Sequence, residues 1–116
     1  MSKRKKVKLL RGKFYIVYVS GNHPSLIFKK SRKKNRYDAV VFGTTGGHHR
    51  TALQHPISPN VKQSVIHNRP IRGTRKDFGD KELLGLSIAK VDKPLIKNIK
   101  RKKPLETKSY KNRYKK

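Results

Sequence analysis

The chain has no cysteine, which excludes disulfides, thiolate metal sites and a cysteine nucleophile. Acids are nearly as scarce, six Asp and Glu in 116 residues. No apolar run approaches the roughly 20 residues of a membrane-spanning helix, and no basic amphipathic helix stands out to lie on a lipid surface. The basic beginning is not followed by a signal-type hydrophobic segment, because Phe14-Tyr15-Ile16-Val17-Tyr18-Val19 is strand-length and ends at Ser20-Gly21. These absences lead to the expectation of a cytoplasmic protein with no membrane partner. With 33% hydrophobic residues the chain has material for one small domain and a limited core.

Two chemical signatures are also missing. Gly43, Gly46 and Gly47 flank threonines, but the G-x-x-x-x-G-K-[ST] phosphate loop is absent, so the stretch reads as a flexible turn. His48, His49, His55 and His67 are the residues a metal cluster would draw on. Asp38 is the only acid near His48 and His49, and there is no H-E-x-x-H, so neither metal nor cofactor is expected.

What is present is positive charge: 32 Lys and Arg, a formal net charge of +26. Such an excess repels itself unless a polyanion neutralises it, and phosphate contacts release condensed counterions, so nucleic acid is the expected partner. The charge is concentrated at the ends, with six cations in residues 1–12 and ten in residues 97–116. Residues 1–10 read as a disordered basic arm and residues 100–116 as a disordered basic tail. Sixteen cations still face five acids between residues 13 and 96, so the body itself suits an anion. Tyr110 and Tyr114 among the C-terminal cations are either base-stacking groups or residues packed back on the body.

Three short runs rich in β-branched and aromatic residues, 14–19, 25–28 and 39–42, predict three closely spaced strands. Further strands are expected at 51–53, 64–66 with 69–71, and 86–90, a turn at Asp77-Phe78-Gly79, and a short helix over 81–86 capped by Asp80. A second helix is expected over 93–99, capped by Asp92, with Pro94 in its first turn and Leu95, Ile96 and Ile99 on one face. Lys29, Lys30, Arg32, Lys33, Lys34 and Arg36 crowd the interval between the second and third strands, and Arg69, Arg72, Arg75 and Lys76 a later strand end. These ten cations are the expected nucleic-acid contacts. If the first and third strands are neighbours, His23, Thr44, Thr45, His48 and Arg50 share one rim. There an imidazole could move protons in RNA cleavage while cations and hydroxyls stabilise phosphorane charge.

The order of these motifs resembles the MazF/PemK-like family. Arg11-Gly12 leads into the first strand, a Gly-containing loop ending at His23-Pro24 precedes the second, and Ala39-Val40-Val41-Phe42-Gly43-Thr44-Thr45 ends in hydroxyls. Ser64-Val65-Ile66, Lys81-Glu82-Leu83-Leu84 and residues 91–99 follow in the family's order. The resemblance covers about residues 11–99. It implies a mainly β fold with short helices, an SH3-like barrel, and a homodimer restrained by an acidic antitoxin. It also implies metal-independent endoribonuclease activity on single-stranded RNA. The family's catalytic Arg falls on His23, and its catalytic hydroxyl on Thr45 or Thr44. Because imidazole is charged only part of the time and cannot form Arg's fork, His23, Thr45, His48 and Arg50 are candidate catalytic residues of a cleft that cleaves or only binds. RNA is expected ahead of DNA. The alternatives are a non-catalytic accessory protein of a ribosome, chromosome, phage or mobile element, or a basic inhibitor of a host enzyme.

Overall fold

Ala39-Val40-Val41-Phe42 lacks the alternation of a half-solvated strand, and the computed structural model gives the reason: both faces of this strand are covered. The structure describes residues 8–19, 21–31 and 35–113. Among the described residues the fold is mainly β, with eight strands and two short helices. In chain order the strands are β1 (Phe14–Tyr18), β2 (Asn22–Ser31), β3 (Arg36–Gly43), β4 (Arg50–Ala52), β5 (Val65–His67), β6 (Ile71–Thr74), β7 (Phe78–Glu82) and β8 (Leu105–Glu106). The helices are α1 (Lys93–Lys100) and α2 (Thr107–Arg113). β3 is the hub. It pairs with β2 from Ser31↔Arg36 to Ser25↔Val41, with β6 through Arg36–Ala39, and with β5 through Phe42 and Gly43. β1 lies beyond β2, β7 beyond β1, and β4 beyond β5, all antiparallel, while β8 runs parallel to β6. Among the described residues no pairing joins β7 to the far edge. The expected barrel is therefore not closed.

Alternate residues of the strands feed two cores. Tyr15, Val17, Ile27, Tyr37, Ala39, Val41, Ile71 and Phe78 form one, completed by Leu9 and Tyr110. Phe14, Leu26, Val40, Phe42 and Ile66 form the other, under Leu53, Ile57 and the Ile96 and Ile99 face of α1. Every residue from Tyr37 to Phe42 is buried, and a strand covered on both sides is selected for continuous apolarity. The exception, Asp38, is held by a two-pronged contact from its cross-strand partner Arg72, Nε to Oδ1 at 2.8 Å and Nη2 to Oδ2 at 3.1 Å.

Several expected elements are corrected. Asp77-Phe78-Gly79 is not a turn. Asp77 ends a 3-10 turn that is closed by a capping box with Thr74, and Phe78 starts β7, buried opposite Val17. No helix forms over 81–86. Lys81 and Glu82 finish β7, and Gly85 has φ +82, a left-handed conformation that interrupts helix. Leu83, Leu86 and Ile88 then pack partly buried against the second core. The strand expected at 86–90 is replaced by an irregular segment and a 3-10 turn. Helix α1 is where it was expected, but Asp92 makes no side-chain cap. Its carboxylate instead accepts from the backbone N–H of Gln54 at 2.9 Å and of His55 at 3.4 Å.

The largest correction is at the C-terminus, where a disordered tail was expected. Leu105 and Glu106 extend the sheet, and Thr107 Oγ1 contacts Arg72 O and Asp77 Oδ2, both at 3.1 Å. Tyr110, 1% exposed, closes the first core. Gly73 permits this docking, because a Cβ there would lie 2.8 Å from Asp77 Oδ2 and 3.2 Å from Thr107 Oγ1. Gly73→Ala is expected to loosen α2 and lower the urea midpoint by an amount equivalent to about 1–3 kcal/mol, and a midpoint equal to the parent's would contradict this packing. No helix among the described residues is long and apolar enough to cross a membrane.

Candidate nucleic-acid interface

The loops after β1 and β3 meet at one end of the sheet. Pro24 has no N–H to give a ladder, and β2–β3 pairing stops at Ser25↔Val41. Beyond that point β3 turns to β5. The gap between the two strand ends is a cleft of about 260 Å³ lined by Asn22, His23, Pro24, Gly43, Thr44, Thr45, Arg50 and His67. Gly21, at φ +113, makes the turn that delivers Asn22 and His23. Gln63 Nε2 donates to Thr44 O at 2.8 Å and Arg50 Nη1 to Thr45 O at 3.4 Å, tethering the threonine loop from below.

The sheet thus brings His23, Thr44, Thr45 and Arg50 to one cleft. His48 does not line it. It occupies the exposed turn before β4 beside His49, their rings 6.4 Å apart. The residue that sequence reasoning missed is His67. It was visible only as one histidine of an unsupported metal set, because nothing in the sequence reveals that β5 pairs with β4 and sets His67 opposite Arg50. His67 is 2% exposed. Its ring lies 5.8 Å from that of His23 and stacks at 5.6 Å on Tyr110, with Nδ1 hydrogen-bonded to the Tyr110 hydroxyl. Burial, followed by the nearby charges of Arg50 and His23, pushes its pKa down to about 3. His67 is therefore uncharged at neutral pH and is not a protonated acid there.

Chemically the lining is one-sided. It offers a guanidinium, two imidazoles, two hydroxyls and an amide, and none of the chain's six carboxylates reaches it. Such a surface receives anionic oxygen and repels cations.

The ten expected nucleic-acid cations divide differently. Lys29, Lys30 and Lys76 are exposed. Arg36 pairs with Glu106 at 2.6 Å, Arg69 donates twice to Lys103 O, and Arg72 holds Asp38. Arg75 is buried, with Nη1 bonded to Phe78 O and Nη2 to Asp80, so its expected role as a surface contact is corrected to a structural one. Arg32, Lys33 and Lys34 lie outside the described residues, as do Tyr114 and residues 1–7 of the basic arm. Tyr110, buried against His67, is unavailable for stacking on bases. Comparison with family models, with curated proteins and with solved structures finds no match to this chain.

Proposed function

We propose that this chain binds single-stranded RNA, seating a phosphodiester in the cleft between β2 and β3, and that it is a divergent relative of the MazF/PemK-like SH3-like proteins that cuts RNA without metal. The observation that carries the reading is the convergence of His23, Thr45 and Arg50 in a cleft without carboxylates, on a chain of net charge +26. In this reading Arg50 holds the non-bridging phosphate oxygens. His23 takes the proton from the 2′-hydroxyl, whose oxygen attacks phosphorus. The phosphorus–5′-oxygen bond breaks, that oxygen takes a proton from solvent, and a 2′,3′-cyclic phosphate is left. The Thr45 hydroxyl and the Arg50 N–H groups support the added negative charge.

The second reading, a binder that does not cut, is favoured by one observation. His67 is held uncharged by burial, so it is not the protonated imidazole that would hand a proton to the leaving 5′-oxygen while His23 acts as base.

Incubation of the protein with end-labelled single-stranded RNA in EDTA separates the two. Discrete fragments that vanish in His23→Ala are expected for the nuclease. Intact RNA shifted to a slower band, with log affinity falling steeply against log salt, identifies the binder. Affinity that barely changes between low and physiological salt would sink both.

A further inference from the structure

Helix α1 carries a cationic stripe that the proposed function leaves unused. Its sequence, Lys93-Pro94-Leu95-Ile96-Lys97-Asn98-Ile99-Lys100, holds no acid, and Lys93, Lys97 and Lys100 recur at i, i+4 and i+7 along one side. Like charges at that spacing repel. Lys97 and Lys100 are favoured at the helix C-terminus, but Lys93 sits at the N-terminus, where the helix dipole disfavours a cation. Among the described residues none of the three is paired with a carboxylate. Lys100 is partly buried, its Nζ 5.8 Å from the centre of the Phe28 ring, and desolvation lowers its pKa from the ordinary lysine value. The stability of the helix therefore does not account for the stripe.

The three lysines line a groove of about 340 Å³ together with Leu26, Ile88 and Ile96. The groove shares no residue with the cleft, but Pro24 of the cleft and Leu26 of the groove stand two residues apart on one face of β2, about 7 Å along the strand. We propose that this groove is a second contact for single-stranded RNA: a nucleobase of the strand seated in the cleft enters over Leu26, Ile88 and Ile96, and its flanking phosphates lie on Lys93, Lys97 and Lys100. The role rests on the RNA-binding reading above. An apolar lining edged by charge of one sign suits a group with a flat uncharged face and anions attached to it, and an unstacked nucleotide has both. Adjacency along β2 ties the groove to the strand already in the cleft rather than to a separate partner. Neither the stripe nor the groove belongs to the ten cations read from the sequence as nucleic-acid contacts.

The test uses full-length protein with ¹³C-labelled isoleucine methyls and ¹⁵N-labelled histidine, titrated at low salt with a short single-stranded oligoribonucleotide. The δ1 methyls of Ile88 and Ile96 are expected to move upfield as a base ring covers them, together with a response of the His23 ring in the cleft. Inorganic polyphosphate, which brings the charge without the base, should leave those two methyls where they are. Charge reversal by Lys93→Glu with Lys97→Glu is expected to abolish the methyl shifts and to weaken RNA binding by about tenfold or more, with the His23 response kept and the fold checked by circular dichroism. A parent whose His23 ring responds to RNA while the two methyls stay still overturns the proposal, whether or not the double variant folds. So do equal methyl shifts with polyphosphate, a folded double variant with unchanged shifts and affinity, or methyls that answer to an acidic peptide and not to RNA. If the parent does not bind the oligoribonucleotide at low salt, the RNA-binding reading itself fails and the groove's role falls with it.

Discussion

Arg50→Ala is expected to weaken binding of single-stranded RNA by about ten- to a hundredfold at fixed salt, the range spanned by a hydrogen-bonded charge of about 1.5–3 kcal/mol. Arg50 is placed by β4–β5 pairing opposite His67 and is tied to the threonine loop through Thr45 O. It is therefore held in place before an anion arrives, and little side-chain entropy is left to lose on binding. Arg50→Lys keeps the charge but not the planar fork, so it should recover part of the affinity and not all of it. Lys76→Ala, which removes an exposed cation away from the cleft, is the comparison: it should reduce the salt slope by about one charge and affect all sequences alike. Filter binding across a salt series, with circular dichroism to confirm folding, measures all three. Equal losses for Arg50→Ala and Lys76→Ala would remove the cleft from any account of binding and leave only diffuse charge.

Acid should destabilise the protein through His67. Its pKa is about 3 in the folded state, against 6.5 for an ordinary histidine. Between those values the unfolded chain takes up a proton that the native protein refuses, so stability falls as pH drops from about 6.5 towards 3. At about 1.4 kcal/mol per pH unit, acidification to pH 4 costs on the order of 3 kcal/mol, a large part of the 5–15 kcal/mol typical of a domain. Above about pH 7.5 the group contributes no slope. Urea midpoints measured from pH 7.5 to 4 should fall steeply in the parent. They should fall less in His67→Asn, whose amide still offers the Tyr110 hydroxyl a partner near the Nδ1 position. Parallel curves for the two proteins would show that His67 is not the buried neutral group described here.

The strands were legible where local chemistry and burial agree. The β-branched and aromatic run at 14–19 forms β1 over its first five residues and the run at 39–42 lies in β3, and the cationic end of β2 was misread as loop because Lys29, Lys30 and Ser31 are exposed and so carry no apolar pattern. Phe78 was misread for a different reason. Flanked by Asp77 and Gly79 it resembles a turn, and only its pairing with Val17 makes it core. Leu105 and Tyr110 were hidden among cations, since one apolar residue every few positions gives no period, and their burial depends on the surfaces of β6 and β5 being there to meet them.

The amino-acid sequence by itself determined that the protein is a small, strongly cationic β domain without thiol chemistry, because charge, composition and the two-residue period of a strand are properties of neighbours along the chain. The tertiary structure decided which cations are spent on the fold, that His67 joins the cleft in uncharged form, and that the C-terminal helix belongs to the domain. Those outcomes depend on strand pairing between residues far apart in sequence, and on the loss of water around groups whose burial no local stretch records.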